Sequence, residues 1–345
     1  MRNPLLFRHR SVSFAATLLM AAVTGPACAD LLGVDVSTHQ GTVNWNSMKN
    51  AGVGFAFTKA TEGVDFIDTR FTQNMAGARA AGIPIGPYHF ARPDSSVGTL
   101  SDPIKQDAVN EANDFVDAIQ PFYNTNPEAY LRPVLDVEKL PLTAEINTVS
   151  EQRQYLSDWI NDFADVLMNR LGVHPIIYLN SNYAINYVNS SVAQYDLWIA
   201  RWTYNTSNLP AGANQLGVWS DWDFWQWSDS ESIGGEAPVD ANLFRGTTQD
   251  LAAYLYAAEP PLTGDYNGDG VVDLADYTKW RDTLRRGNLD LSADGNKSGA
   301  IDTGDYDVWA ANYGATAPPA TAIPEPTAAL LAALALATVC LRVRP

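Results

Sequence analysis

Between Asp30 and about residue 257, short apolar segments alternate with amphipathic ones. Runs of six to eight residues that are rich in branched and aromatic side chains predict β-strands. Stretches between them with an apolar side chain at every third or fourth position predict helices, of which the clearest are 107–120 and a segment that ends at Gly172. The strand segments are 31–37, 53–60, 84–91, 132–138, 174–180, 196–202, 223–228 and 239–244.

The order of these elements indicates the fold class. Helices separate the early strands, whereas the last strands follow one another with little room for helices. This order favours an α/β fold, namely a TIM-like parallel barrel of eight strands that occupies residues 30–257. An open, doubly wound sheet is compatible with the same pattern.

A linker at 258–264 separates this domain from an internal repeat at 265–313, in which GDYNGDGVVDLADYTKW and ADGNKSGAIDTGDYDVW align. Oxygen-bearing residues recur at the spacing of a calcium loop, with a glycine at the turn, and two ligands in the set are backbone carbonyls. The ligand positions are Asp265, Asn267, Asp269, Val271, Asp273 and Asp276 in the first loop, and Asp294, Asn296, Ser298, Ala300, Asp302 and Asp305 in the second. We expect weaker binding in the second loop because Ser298 is uncharged. The alternative is two solvated acidic turns that bind nothing.

The repeat resembles the dockerin module, a small all-α calcium-binding domain. This resemblance implies docking to a cohesin-like partner or to another surface protein. Each copy has Asp at the last ligand position, as dockerins commonly do.

Both ends of the chain are typical of targeting segments. Residues 1–29 combine arginines, an apolar stretch and the sequence Ala-Cys-Ala, which predicts a signal peptide and export. Residues 323–345 contain Ile-Pro-Glu-Pro, a short apolar run and terminal arginines, after a spacer at 314–322. This tail resembles the PEP-CTERM sorting signal of exported bacterial proteins and implies transient membrane contact. A plain C-terminal anchor is the alternative, and either reading predicts an extracellular or cell-surface protein.

Charge and cysteine content narrow the range of functions. The net charge of −17 makes nucleic acid an unfavourable partner. Both cysteines, Cys28 and Cys340, fall in the predicted targeting segments. The predicted mature domains therefore offer neither a disulfide framework nor a thiol nucleophile.

Two acids lie close together at the end of the fourth predicted strand, in PVLDVE. Side chains alternate along a strand, so Asp136 and Glu138 should enter the same cavity. Two carboxyl groups this close let one stay protonated as an acid while the other stays ionised, which suits cleavage of a glycosidic bond. Capping of the following helix is the alternative role for such acids.

Further polar and aromatic side chains fall at the carboxyl ends of other strands, where barrel chemistry takes place. Six of the ten tryptophans lie between Trp198 and Trp227, and flat rings of this kind can bind sugar faces. Packing or capping is the alternative role for each of these residues. The candidates are Asp35, Glu62, Tyr88, Tyr178, Trp202, Gln226 and Asp240.

Eight segments resemble, in order, the signature blocks of glycoside hydrolase family 25, the lysozymes that cut bacterial peptidoglycan. They are GVDVSTHQG, FTKATEG, GPYHFAR, PVLDVE, IIYLNSNY, LWIARW, FWQWSD and VDANLFRG. The resemblance implies a barrel with fewer than eight helices. It also implies hydrolysis of the β-1,4 bond between N-acetylmuramic acid and N-acetylglucosamine, without a catalytic cofactor.

The resemblance also implies roles for individual residues. Glu138 would be the general acid/base, and Asp136 would orient the substrate acetamido group as it attacks the anomeric carbon. Asp35 and Asp240 would be the other active-site acids. Two other functions fit the chain, namely a catalytically silent glycan-binding protein and a chitinase-like hydrolase that carries the same Asp-x-Glu arrangement.

Overall fold

The computed structural model describes residues 30–93, 100–102, 105–125, 129–141, 146–256, 262–267, 270–284, 293–296, 298 and 300–316. The predicted signal peptide, the sorting tail and Asp269 lie outside these residues. No helix in the described part of the chain has both the length and the apolar character needed to cross a membrane.

In the described part of the chain nine strands form one sheet, and eight of them close into a barrel because β1 pairs with both β2 and β9. Each predicted strand segment corresponds to a barrel strand. The short β3 was not predicted; it pairs with the end of β2 outside the barrel. The strands are β1 (Leu31–Val36), β2 (Phe55–Glu62), β3 (Phe66–Ile67), β4 (Ile85–Phe90), β5 (Val134–Asp136), β6 (Ile176–Asn180), β7 (Leu197–Ala200), β8 (Phe224–Ile233) and β9 (Glu236–Phe244).

The direction of the last strand departs from the predicted parallel barrel. The pairings from β1 and β2 round to β8 are parallel, whereas β9 runs antiparallel to both β8 and β1. Gly234 and Gly235 are the two residues between β8 and β9, with φ of 60° and 93°. Two glycines with positive φ make the tight hairpin turn that joins antiparallel strands. The two strands are also longer than predicted, because they extend to this turn.

Helices cover the outside of the early strands. Thr148 is the N-cap of helix α4, and its side chain accepts a hydrogen bond from the Glu151 backbone N–H in a capping box. Gly172, with a φ of 72°, is the C-cap of the same helix. The helices are α1 (Trp45–Asn50), α2 (Phe71–Ala80), α3 (Gln106–Thr125), α4 (Val149–Leu171), α5 (Ser181–Asn186), α6 (Ala213–Leu216), α7 (Thr248–Leu251), α8 (Leu274–Leu284) and α9 (Thr303–Asn312).

The barrel interior is apolar at one end and polar at the other. Phe55, Phe57, Phe224 and Phe244 fill the apolar end and are at most 2% exposed. Gly33 makes room for them, because a Cβ at this position would lie 2.2 Å from the Phe55 ring. The alternating pattern continues along the same strands into polar side chains, so the closed core becomes a cavity at the other end.

Helices α8 and α9 pack together around a small separate core. The Trp280 Nε1 donates to the backbone oxygen of Asp302, and the Trp309 Nε1 donates to that of Asp273, at 2.9 and 2.8 Å. Each tryptophan thus binds the loop that precedes the other helix. The two copies of the repeat are therefore joined by reciprocal hydrogen bonds.

Candidate active site

A cavity of about 150 Å³ opens at the polar end of the barrel. The described strands deliver acids, aromatic rings and one lysine to its wall. Its lining residues are Asp35, Ser37, His39, Lys59, Tyr88, Phe90, Asp136, Glu138, Tyr178, Trp198, Gln226 and Asp240. The cavity lies at the end of the barrel where the sequence places the candidate residues. The parallel strands β1, β2 and β4 to β8 all point their carboxyl ends towards it.

Asp136 and Glu138 line the same wall, as their spacing predicts. Strand β5 ends at Asp136, so Glu138 lies just beyond the strand and is half-buried, whereas Asp136 is 6% exposed. Asp136 Oδ1 is buried and has no hydrogen-bond partner among the described residues. A buried, unpaired carboxylate oxygen is costly, so this atom is suited to accept a hydrogen bond from a ligand.

The cavity raises the pKa of both acids of this pair. Burial raises the pKa of Asp136 well above its usual range, and the charge of Glu138 raises it further. Burial also raises the pKa of Glu138, while the nearby Lys139 opposes the rise. Since Asp136 is the more deeply buried of the two, burial favours the neutral form more strongly at Asp136 than at Glu138.

A second pair of acids forms the opposite wall. Asp35 and Asp240 face each other across the β1–β9 register. Burial and the charge of Asp35 raise the pKa of Asp240 to about 9. Burial also raises the pKa of Asp35, but hydrogen bonds from Asn242 and Gln226 oppose this. Asp240 therefore keeps its proton at neutral pH.

Gln226 connects the two walls. Its Oε1 accepts hydrogen bonds from the Tyr178 hydroxyl and the Trp202 Nε1, both at 2.8 Å. Its Nε2 donates to Asp35 Oδ2 at 3.0 Å and to Asp240 Oδ2 at 3.4 Å. Every polar atom of the side chain is engaged, so Gln226 orients its four neighbours.

The tryptophan-rich segment supplies mostly core. Trp198, Trp219, Trp222 and Trp225 are each no more than 7% exposed. Trp202 is 51% exposed and follows β7. It does not line the cavity itself, but its bond to Gln226 places it beside the mouth, where an exposed ring can stack on a sugar.

The two remaining predicted binding residues occupy different places. Tyr88 lines the cavity. Glu62 does not; its carboxylate accepts hydrogen bonds from Lys59 and from the Arg92 Nε, the latter at 2.7 Å. The structure therefore places Glu62 in an ion-pair cluster at the rim.

Sequence reasoning missed five lining residues, namely Ser37, His39, Lys59, Phe90 and Trp198. For Lys59 a signal was present in the pattern. Phe55 and Phe57 point into the barrel, so the residue two further along β2 points the same way. Because this strand was interpreted as apolar, Lys59 was not predicted to line the cavity.

The predicted metal ligands lie outside the barrel, in the repeat at 265–313. Among the described residues, no group of three or more His, Cys, Asp or Glu side chains is arranged to hold a metal. Asp276 and Asp305 are fully buried, and they accept hydrogen bonds from the backbone N–H groups of Asp273 and Asp302 at 2.7 and 2.8 Å.

Comparison with known proteins assigns the barrel to a family. The model of glycosyl hydrolases family 25 matches residues 34–236. Lysozyme M1 of Streptomyces globisporus is 35% identical over 234 residues, covering 66% of this chain and 73% of that protein. The autolytic lysozyme of Clostridium acetobutylicum is 29% identical over 68% of this chain and 61% of its own length.

A solved structure has the same fold. The bacterial lysozyme from Streptomyces coelicolor superposes with a TM-score of 0.51 and 29% sequence identity, over 66% of this chain and 98% of that one. The family match spans more than half of the chain and contains the cavity residues from Asp35 to Gln226. This protein therefore belongs to glycosyl hydrolases family 25 and is a glycoside hydrolase.

Proposed function

We propose that this protein is an exported muramidase that hydrolyses the β-1,4 bond between N-acetylmuramic acid and N-acetylglucosamine of peptidoglycan. Two of its relatives are named lysozymes, and its family match over residues 34–236 contains every cavity residue except Asp240. The observation that carries the proposal is the placement of Asp136 and Glu138 on one cavity wall, with Asp136 Oδ1 buried and free of a described partner.

The acid pair supports acetamide-assisted catalysis. A substrate acetamido N–H that binds Asp136 Oδ1 stabilises the ionised aspartate, since hydrogen bonds to a carboxylate favour its charged form. The proton of Asp136 then moves to Glu138, which becomes the general acid and protonates the leaving glycosidic oxygen. The acetamide oxygen attacks the anomeric carbon, and Glu138 later deprotonates the water that opens this intermediate.

The opposite wall supports the same reaction. Asp240 keeps its proton because burial and the charge of Asp35 raise its pKa to about 9, so Asp35 is the acid of this pair that supplies negative charge to the field around the sugar. That charge stabilises the positive character that develops at the anomeric carbon. Tyr178 lines the cavity and stays protonated because burial raises its pKa, and its hydroxyl donates to Gln226 Oε1.

The test of this function is a digest of purified peptidoglycan followed by mass analysis of the fragments. A muramidase gives disaccharide-peptides that end in reducing N-acetylmuramic acid. Fragments that end in reducing N-acetylglucosamine, or no fragments at all, would contradict the proposal. Binding without turnover would instead favour the glycan-binding function, and release of products from chitin oligomers but not from peptidoglycan would favour the chitinase-like one.

The repeat at 265–313 is proposed to be a dockerin-like module that binds calcium in two loops. Asp265, Asn267, Asp273 and Asp276 are the described side-chain ligands of the first loop. Buried carboxylates such as Asp276 favour this, since a bound cation would balance their charge. Calorimetric titration of the full chain with calcium should show two sites, the second weaker. An absence of binding would leave the acidic-turn alternative.

The ends of the chain complete the proposal. Residues 1–29 direct export, and residues 323–345 engage a membrane transiently before the protein reaches the cell surface. The module then attaches the enzyme to a cohesin-like or other surface protein. Fractionation of cells that express the full chain or a chain truncated after residue 322 tests this, because only the full chain should be processed at the membrane.

A further inference from the structure

Three cationic side chains surround the ring of Phe90 at one edge of the cavity. The Lys59 Nζ lies 4.7 Å from the ring centroid, the Arg92 Cζ 4.9 Å and the Lys139 Nζ 5.9 Å. They come from the ends of three neighbouring strands, since β2 pairs with β4 and β4 with β5. Phe90 lies opposite Asp136 in the register, so this group, the Phe90 cation cluster, adjoins the acid pair.

The cluster carries excess positive charge in a chain whose net charge is −17. Glu62 is the acid that pairs with both Lys59 and Arg92. Lys139 is exposed and forms no ion pair among the described residues, and the Arg92 side chain is 49% exposed. Two of the three cations are therefore accessible to a ligand.

The β1, β8 and β9 side of the cavity carries acids instead of cations. Asp35 and Asp240 line the β1–β9 side, and Asp229 lies on β8 beside the exposed Tyr204. The mouth is thus cationic on the side of the Asp136–Glu138 pair and acidic on the other. A polymer that carries carboxylates on one flank would be drawn to the first side and kept from the second.

A peptidoglycan strand carries carboxylates beside its sugar rings. Its sugar rings are neutral, whereas the peptide stems on its muramic acid residues end in carboxylates. We infer that the Phe90 cation cluster binds the stem carboxylates and makes the enzyme selective for peptide-substituted glycan. This inference deepens the proposed muramidase function and rests on it.

The test compares two soluble substrates that differ in the charge of their peptide stems. One is a glycan strand with native stems, and the other is the same strand after its carboxylates are converted to methylamides with carbodiimide and methylamine. The wild type should prefer the native strand about threefold to tenfold in kcat/KM, since each exposed charge contact contributes modestly. The preference should come from a lower KM for the native strand, and it should become smaller as salt is added because salt screens exposed charges.

The variants remove the accessible charges. The double variant Arg92→Met with Lys139→Met should lose the preference, and Arg92→Lys should keep it. Lys49→Met is the matched control; Lys49 lies on α1 and binds the Gly82 oxygen at 2.9 Å, ahead of β4 at the other end of the barrel. This control should retain the wild-type preference.

Two results would overturn the inference. Equal turnover of both strands by the wild type would show that the stem charge is not recognised. An unchanged preference in the double variant would show that the recognition lies elsewhere. If the wild type hydrolyses neither strand, the proposed function itself fails, and the inference fails with it.

Discussion

The Asp35–Asp240 pair offers a quantitative test of the site through protein stability. Asp240→Asn replaces a carboxyl whose pKa is raised to about 9 with a neutral group of the same shape. In the wild type the folded state keeps this proton up to about pH 9, whereas the unfolded chain loses it above the ordinary value of 3.8. The folded state then binds the extra proton, so stability falls as pH rises through this window.

The slope sets the expected magnitude. When the folded state binds one proton more than the unfolded state, the free energy of unfolding falls by about 1.4 kcal/mol per pH unit. The wild type should therefore lose about 2.7 kcal/mol of unfolding free energy between pH 6 and pH 8 through this group. This value is an upper bound, because Asp35 shares the proton. Asp240→Asn lacks this loss, so the difference in unfolding free energy between variant and wild type should move in favour of the variant by up to that amount.

The assay is urea unfolding followed by tryptophan fluorescence at pH 6, 7 and 8. The variant and the wild type share all other titrating groups. The change with pH in the difference between their unfolding free energies, the double difference, therefore isolates the Asp35–Asp240 pair. A double difference within about 0.5 kcal/mol of zero across this range would refute the reasoning, since it would mean that Asp240 is ionised in the folded protein.

Three further outcomes follow from the same structure. Peptidoglycan stripped of its N-acetyl groups should be hydrolysed at least about a hundredfold more slowly, because the internal nucleophile is lost; an unchanged rate would exclude acetamide assistance. Trp202→Ala should raise KM about threefold to tenfold with little change in kcat, as steady-state kinetics can measure, because an exposed ring binds substrate and transition state alike. Trp309→Phe should weaken calcium binding in the first loop about twofold to tenfold by calorimetry, because Trp309 bonds to Asp273; unchanged affinity would show that the loops act independently.

The sequence predicts the strands well because each is a short, apolar run that ends at a turn. It does not predict the antiparallel direction of β9. Strand direction depends on the connection, and the Gly234–Gly235 pair that makes the hairpin lies in a segment that was not assigned to either strand. That dipeptide is the signal from which the direction could have been predicted.

For the site, the local spacing of Asp136 and Glu138 predicts their shared cavity, since alternation is a property of the chain itself. The protonation of the pair depends on how deeply each group is buried once the barrel closes, which spacing does not determine. The role of Gln226 depends on distant partners such as Asp35, 191 positions away in the chain. Such contacts are set by the fold and not by local pattern.

The most direct test of the central claim is the activity of Glu138→Gln on purified peptidoglycan, measured as release of reducing sugar beside the wild type. The amide keeps the shape of the side chain but cannot deliver a proton. The account predicts a loss of at least about a hundredfold in kcat with the fold retained by circular dichroism. Wild-type activity in this variant would contradict it.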